Sequence, residues 1–135
     1  MINGLTNHET LRIQELKSYD ILNSAPEKVF QELVNLAAQI CKCSMAMLGL
    51  MDGNRLLIKA RTGLNLNEMP RKFAFCSYTI LQEGVFIIND ALKDKRFCEN
   101  PYVVGIPKIR FYAGTTLRSS TGLALGTLCI LDHQP

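Results

Sequence analysis

No apolar run in this chain approaches the ~20 residues that a membrane-spanning helix needs. The opening Met1-Ile2-Asn3-Gly4-Leu5 lacks a basic start followed by an apolar stretch, so no secretory signal is expected and the cytoplasm is the expected location. Charge is scarce: 20% of residues are charged and the net charge is only +3. Lys93, Lys95 and Arg96 form the one tight basic group, which argues against the continuous basic stripe of a nucleic-acid binder. The two histidines, His8 and His133, lie near the ends. No Ser-His-Asp set, paired-carboxylate pattern or phosphate loop appears, so an enzyme is not expected. Five cysteines, an odd number, fit reduced thiols better than a disulfide framework. Cys41 and Cys43 form a Cys-x-Cys pair, but no second pair or His cluster completes a four-ligand zinc site.

What is present suits one domain. A chain of 135 residues with 47% hydrophobic content can bury about two thirds of its unfolded surface. Thr6-Asn7-His8-Glu9 has capping-box spacing and predicts a helix from about Asn7 to Ile21 or Leu22, with a thin stripe of Ile13, Leu16 and Tyr19. Such a helix docks on a partner surface or on a copy of itself. A second box, Ser24-Ala25-Pro26-Glu27, opens a stronger helix whose Phe30, Leu33, Val34, Ala37, Ile40 and Cys41 predict one buried face.

Asp52-Gly53 between the apolar run Met45 to Met51 and the segment Arg55 to Arg61 predicts a hairpin. The first strand, apolar on both faces, reads as central. The second, with Leu56, Ile58 and Ala60 alternating with Arg55, Lys59 and Arg61, reads as a half-exposed edge. Thr62 to Lys72 reads as a loop, Phe73 to Leu81 as a short helix, and Val85 to Ile88 as a short strand. Asn100-Pro101, Gly105 and Pro107 break up the stretch after Ala91. Strands over Ile109 to Arg118 and Leu123 to Asp132, joined through Ser119-Ser120-Thr121-Gly122, complete an α+β domain.

Several segments resemble one family. They are Tyr19-Asp20-Ile21-Leu22-Asn23, Phe75-Cys76, Asn89-Asp90-Ala91-Leu92, Arg96-Phe97, Asn100-Pro101, Ile109-Arg110-Phe111-Tyr112-Ala113-Gly114 and Gly126-Thr127-Leu128-Cys129, with Asp132 and Pro135. Together they resemble the GAF domain, a small sensory module of bacterial signalling proteins. The resemblance implies a PAS-like α+β fold: a central antiparallel sheet of five or six strands, N-terminal helices on one face, covering loops and short helices on the other. It implies one sensor domain over residues 1–135, with an N-terminal helix over 6–23 and a core over 24–132. It also implies a homodimer through terminal helices and an output unit beyond Pro135, such as a diguanylate cyclase or a histidine kinase.

In this family small molecules bind between the sheet and two irregular segments, here 62–81 and 89–107. The resemblance thus implies apolar walls from Phe75, Ile80, Phe97, Val104, Ile109 and Phe111. Polar contacts would come from Ser77, Thr79, Asn89, Asp90, Arg96, Asn100 and Thr115. The ligand so implied is a cyclic nucleotide, cyclic AMP or cyclic GMP, held without a covalent link. Its phosphate would meet N–H groups at Phe75-Cys76-Ser77 and the Arg96 guanidinium. Nucleotide-binding members carry an Asn-Lys-Phe-Asp-type pattern. Asn89, Lys93 and Phe97 fit it, and no acid follows at the matching place.

Each of these residues also has a structural reading. Asn89-Asp90 is a helix cap by type, Arg96 a partner for Asp94, Glu99 or Asp90, and Phe97, Phe111 and Tyr112 are core residues by type. Cys76 has three readings: packing beside Phe75, a redox-sensing thiolate, or a bilin anchor. The residue after it is Ser77, where bilin-binding members carry His. One branch of the family reduces free methionine sulfoxide with spaced cysteines, and Cys76 and Cys98 sit on the two covering segments. A ligand-free dimerisation and relay domain is the alternative to a sensor.

Overall fold

The computed structural model describes residues 2–18 and 28–135. Two helices, α1 (Ile2–Ser18) and α2 (Lys28–Cys41), precede a hairpin of β1 (Met45–Asp52) and β2 (Arg55–Thr62). A short strand β3 (Glu68–Pro70), a 3-10 turn at Arg71–Phe73 and a one-turn helix α3 (Cys76–Thr79) follow. Strand β4 (Val85–Ile88), a 3-10 turn at Ala91–Lys93, helix α4 (Pro101–Val104) and the hairpin β5 (Phe111–Arg118) and β6 (Ala124–Asp132) complete the chain. The six strands form one sheet in the order β3-β2-β1-β6-β5-β4, with every neighbouring pair antiparallel.

β1 lies at the centre because both of its faces are apolar, so each needs a cover. Ala46 and Leu48 meet Phe30, Val34 and Ala38 of α2, while Leu50 meets Leu16 of α1 and Leu125. Met45, Met47 and Met51 point the other way, into a larger core shared with Phe75, Phe97, Tyr112, Cys129 and Leu131. Helices therefore cover one face, and the irregular segments with their short helices cover the other, as the sequence predicts.

The boundaries differ at several points. β2 is second from the edge, because Glu68–Pro70, read as loop, pairs with Arg55–Leu57. Three residues carry too little periodicity to stand out from a loop. Lys59, expected on an exposed face, is 6% exposed. A register shift opposite Leu48/Gly49 turns it inward. α1 begins at Ile2, before the Thr6-Asn7 box and in spite of Gly4. Tyr19 to Asn23 and the box Ser24–Glu27 lie outside the described residues.

α2 also buries a narrower face than expected. Leu33 is 42% and Ile40 70% exposed, and Cys41 is exposed, while Val34 is fully buried. The apolar residues span two neighbouring faces of the helix, and the sheet covers only the one carrying Phe30, Val34 and Ala38. Gln31 on the opposite flank donates to the Arg61 carbonyl at 2.7 Å, which fixes the rotation of α2 over β2.

Candidate functional site

The candidate site is the space between the sheet and the covering segments, and a cluster of aromatic rings fills it. Phe75 stands edge-on to Phe97 at 4.6 Å between centroids and to Tyr112 at 5.2 Å. Phe97 meets Tyr78 at 5.0 Å and Phe86 at 6.4 Å. These separations are those of favourable edge-to-face contacts, each worth about 0.5–1.5 kcal/mol beyond area burial. The void left among Met47, Met69, Phe73, Phe75, Tyr102, Ile109, Tyr112 and Leu131 is about 10 Å³. That is room for about one water, far below the roughly 300–1,000 Å³ of a metabolite pocket.

Beneath the rings lies a buried polar knot. Thr127 Oγ1 donates to Cys76 Sγ at 2.8 Å, and the Tyr112 hydroxyl donates to the same sulfur at 3.4 Å. Thr79 Oγ1 and the Tyr112 hydroxyl are 2.7 Å apart, and the Thr79 hydroxyl lies 3.5 Å from the Phe75 carbonyl. Cys129 lies alongside: its thiol hydrogen bond to Cys76, with those from Thr127 and Tyr112, holds the Cys76 pKa below the usual thiol value despite full burial. Burial and that same neighbour push the Cys129 thiol well up. Burial likewise raises the Tyr112 phenol well above its ordinary value, so it stays protonated and able to donate.

The expected site residues separate into four groups. Phe75, Cys76, Thr79, Ile80, Phe97 and Ile109 come together under the covering segments, as interior packing. Ser77, Asp90 and Asn100 sit on those segments but spend their side chains on the backbone. Ser77 Oγ donates to the Arg71 carbonyl at 2.5 Å. Asp90 accepts from the Leu92 N–H at 3.1 Å. Asn100 caps α4 by accepting from the Tyr102 N–H and donates to the Phe73 carbonyl, each at 2.8 Å. Asn100 thus ties one covering segment to the other.

Asn89, Arg96 and Val104 are exposed. Arg96 forks onto Asp94, with Nε to Oδ1 at 3.0 Å and Nη2 to Oδ2 at 2.7 Å, and that hydrogen bonding lowers the Asp94 pKa. The same guanidinium lies 5.2–5.6 Å from the rings of Tyr78, Phe86 and Phe97, capping the cluster from outside. Phe111 and Thr115 lie elsewhere. Side chains alternate along a strand, and Tyr112 and Thr116 face the covering segments, so Phe111 and Thr115 face the helix side.

Of the N–H groups expected to greet a phosphate at Phe75-Cys76-Ser77, that of Ser77 is in use, as are the next three along the chain. Ser77 N–H donates to Ala74, Tyr78 and Thr79 N–H to Phe75, and Ile80 N–H to Cys76. Cys98 does not pair with Cys76: its sulfur reaches the Lys95 carbonyl at 3.9 Å near the surface.

Phe86 and Thr127 belong to the buried interior, and Tyr78, 38% exposed, lies against the rings of Phe86 and Phe97 at its rim; sequence reasoning missed all three. Their signals were alternation in Val85–Ile88 and the apolar context of Gly126-Thr127-Leu128. Among the described residues no group of three or more His, Cys, Asp or Glu could hold a metal ion. No helix among them is long and apolar enough to cross a membrane.

Fold and sequence agree on the class. The GAF domain model matches residues 25–135, and the chain belongs to that family. It is 41% identical over 115 residues to a cyclic di-GMP phosphodiesterase of Pseudomonas aeruginosa, covering 85% of this chain but 20% of that protein's length. The GAF domain of an Acinetobacter phosphoenolpyruvate-protein phosphotransferase is similar in fold, with a TM-score of 0.62 at 19% identity, covering 93% of this chain and 78% of that one. A free methionine-R-sulfoxide reductase from Thermoplasma acidophilum gives 0.65 at 14% identity, covering 88% and 78%.

Proposed function

We propose that this GAF domain is the regulatory unit of a bacterial signalling protein whose output unit makes or degrades a cyclic dinucleotide. It relays a conformational signal as a homodimer in the cytoplasm and performs no reaction itself. The observation that carries this reading is the filled interior: about 10 Å³ remains where a ligand would lie. The 41% identity to a cyclic di-GMP phosphodiesterase supports the choice of output over a histidine kinase. Pairing of copies draws support from α2, whose Val29, Leu33, Leu36 and Ile40 are 60%, 42%, 51% and 70% exposed along one flank. Their spacing of four, three and four residues is that of a helix–helix seam.

Two measurements test it. Sedimentation across a range of concentrations should find a dimer that Leu36→Glu dissociates; a monomer at every concentration would sink the relay reading. Cyclic AMP or cyclic GMP at about 1 mM should leave the melting temperature of ligand-free protein unchanged, because a ligand stabilises only what it binds.

A second reading keeps cyclic AMP or cyclic GMP as the ligand. It is favoured by Arg96, an exposed guanidinium on the aromatic rim, poised where a phosphate could compete with Asp94. Binding would require the 89–107 segment to lift and the Phe97 ring to leave the interior. A rise of several degrees with either nucleotide, lost in Arg96→Ala, would establish this reading over the first.

A further inference from the structure

A cleft of about 530 Å³ lies outside the aromatic interior, at the end of the sheet where β2 and β6 finish and β5 begins. Gly63, Leu64 and Asn65 of the β2–β3 connection form one side, and Ile106, Pro107 and Lys108 of the α4–β5 connection form the other. Arg110 and His133 complete it. We infer that this cleft binds the phosphate group of a small aliphatic phosphate monoester, with Lys108, Arg110 and His133 as its partners. This site is independent of the interior space discussed above.

Three observations converge. First, three cation-forming side chains line one cleft, and among the described residues neither Lys108 nor Arg110 has a carboxylate within ion-pair distance. The nearby acid, Asp132, is engaged by the Ser44 hydroxyl at 3.0 Å and the His133 N–H at 2.7 Å. Lys108 and Arg110 outnumber this single acid, so the cleft carries net positive charge, which raises the local concentration of anions.

Second, the side chains of Arg110 and His133 and the backbone of Lys108 are held in place. Arg110 Nη1 donates to the carbonyls of Val103 at 2.8 Å and Ile109 at 3.1 Å, which fixes a guanidinium whose geometry suits phosphate oxygens. His133 Nδ1 lies 2.7 Å from the Pro107 carbonyl. A carbonyl only accepts, so Nδ1 carries the proton and Nε2 is the nitrogen left for a ligand, as a donor once the ring is charged. Lys108 sits at φ +58°, a left-handed conformation that a side chain other than Gly adopts at some cost. Its backbone is locked there by its N–H to the Gly105 carbonyl at 2.7 Å.

Third, the remaining walls decide the ligand's body. Leu64 and Pro107 are aliphatic, and Ile106 is 88% exposed beside them, a large apolar side chain with no cover of its own. No Phe, Tyr or Trp ring lines the cleft, so its walls favour an aliphatic body over a purine. The chemistry fits a doubly charged phosphate on a short aliphatic chain, and the volume is ample for it.

The test is titration of isotope-labelled protein with glycerol 3-phosphate, followed by amide shifts at constant ionic strength. Shifts should concentrate in residues 63–65, 106–110 and 133, with saturation in the millimolar range or below. Lys108→Gly removes the cation at a position whose backbone favours Gly, so the fold should hold; affinity should fall about tenfold or more. His133→Gln should weaken binding similarly. Inorganic phosphate should bind several-fold more weakly than the ester. Shifts spread over the whole surface, unchanged affinity in Lys108→Gly, or equal binding of inorganic phosphate and the ester would each overturn the proposal.

Discussion

Thr127 Oγ1 and Cys76 Sγ are 2.8 Å apart, a hydrogen bond between the middle of β6 and the first residue of α3, with both residues fully shielded from solvent. It joins the covering segment to the sheet by a polar contact within an otherwise apolar layer. Replacing Thr127 with Val keeps the volume and branching but removes the donor. Cys76 still accepts from Tyr112, so the expected loss is that of one hydrogen bond, about 0.5–1.5 kcal/mol in urea denaturation. Tyr112→Phe removes the hydroxyl shared by Cys76 and Thr79 and should cost more, about 1–3 kcal/mol, since Thr79 then loses its 2.7 Å partner. If Thr127→Val costs more than Tyr112→Phe, the order of importance argued for this knot is wrong.

The five thiols should divide by burial when titrated with a disulfide reagent. Cys76 and Cys129 are 0% and 2% exposed, whereas Cys41 is exposed and Cys43 and Cys98 are partly so. Reaction of Cys76 is favoured by its lowered pKa but blocked by access, and access decides because the reagent must touch the sulfur. Three thiols should react quickly in the folded protein and two only on unfolding. Fast reaction of Cys76 in native protein would revive the redox-sensor reading of this residue.

Phe97 separates a structural cluster from a ligand platform. It is 2% exposed and touches Phe75, Tyr78 and Phe86, so Phe97→Ala should lose about 3–5 kcal/mol. Arg96 caps the same rings from solvent, and Arg96→Ala should cost about 1 kcal/mol or less. Thermal denaturation of both variants checks the contrast. A stable Phe97→Ala would mean that the ring is held ready for something other than the core.

Much of this architecture was legible because periodicity records it directly. The double-sided apolar run Met45–Met51 announced a central strand, and the last hairpin was placed to within two residues. The interior was less legible for a physical reason. Phe75, Phe97 and Ile109 are the right residue types for either a pocket wall or a filled core, and only three-dimensional packing tells these apart. Asn100 and Asp90 were ambiguous in the same way, since one side-chain oxygen serves a helix N-terminus or a ligand equally well. The faces of Phe111 and Thr115 were misjudged because the register of β5 against its covering segment is not written in local sequence. Lys108, Arg110 and His133 were invisible as a group: the fold, not the chain order, brings residue 133 beside residues 63–65.

Glu9 should give the domain an acid-sensitive attachment of α1. Its carboxylate bonds Arg12 Nη2 at 2.9 Å and Arg71 Nη1 at 2.5 Å, while Arg71 also reaches the Gly53 carbonyl at 2.9 Å. The side-chain hydrogen bond from Arg12, with that from Arg71, lowers the Glu9 pKa from 4.5 to about 2 against opposing burial. The folded-state pKa is depressed, so this stability is complete above about pH 4.5 and is lost as pH falls towards about 2. The full shift would amount to ~3 kcal/mol, but the carboxylate is 34% exposed, and solvent screening reduces this to about 1–2 kcal/mol. Glu9→Gln should flatten the acid limb of the stability curve and also destabilise at neutral pH. Arg12, 2% exposed, would keep its contact to the Ala124 carbonyl without its carboxylate partner. Equal acid limbs in the two proteins would show that the clamp does not couple α1 to the sheet.

Gly126 carries the most severe constraint in the sheet. It pairs with Leu50, and a methyl group added to it would overlap the Gly49 carbonyl and crowd the Leu50 Cα at 2.9 Å. The obstacle is backbone of the central strand, which cannot rotate aside as a side chain could. Accommodating Ala would mean spreading β1 from β6, the two strands that carry both cores. Gly126→Ala should therefore cost more than 3 kcal/mol and leave little folded protein. Gly122, in the turn at φ +89° with nothing within 4 Å of an added methyl, provides the contrast. Gly122→Ala meets only backbone strain, about 1–2 kcal/mol. In circular dichroism, the melting temperature of whatever folded Gly126→Ala protein remains should lie below that of Gly122→Ala by at least about 3–8 °C, at roughly 3–4 °C per kcal/mol for a domain of this size. Similar melting temperatures would mean that the β1–β6 pair is looser than the registered strands imply.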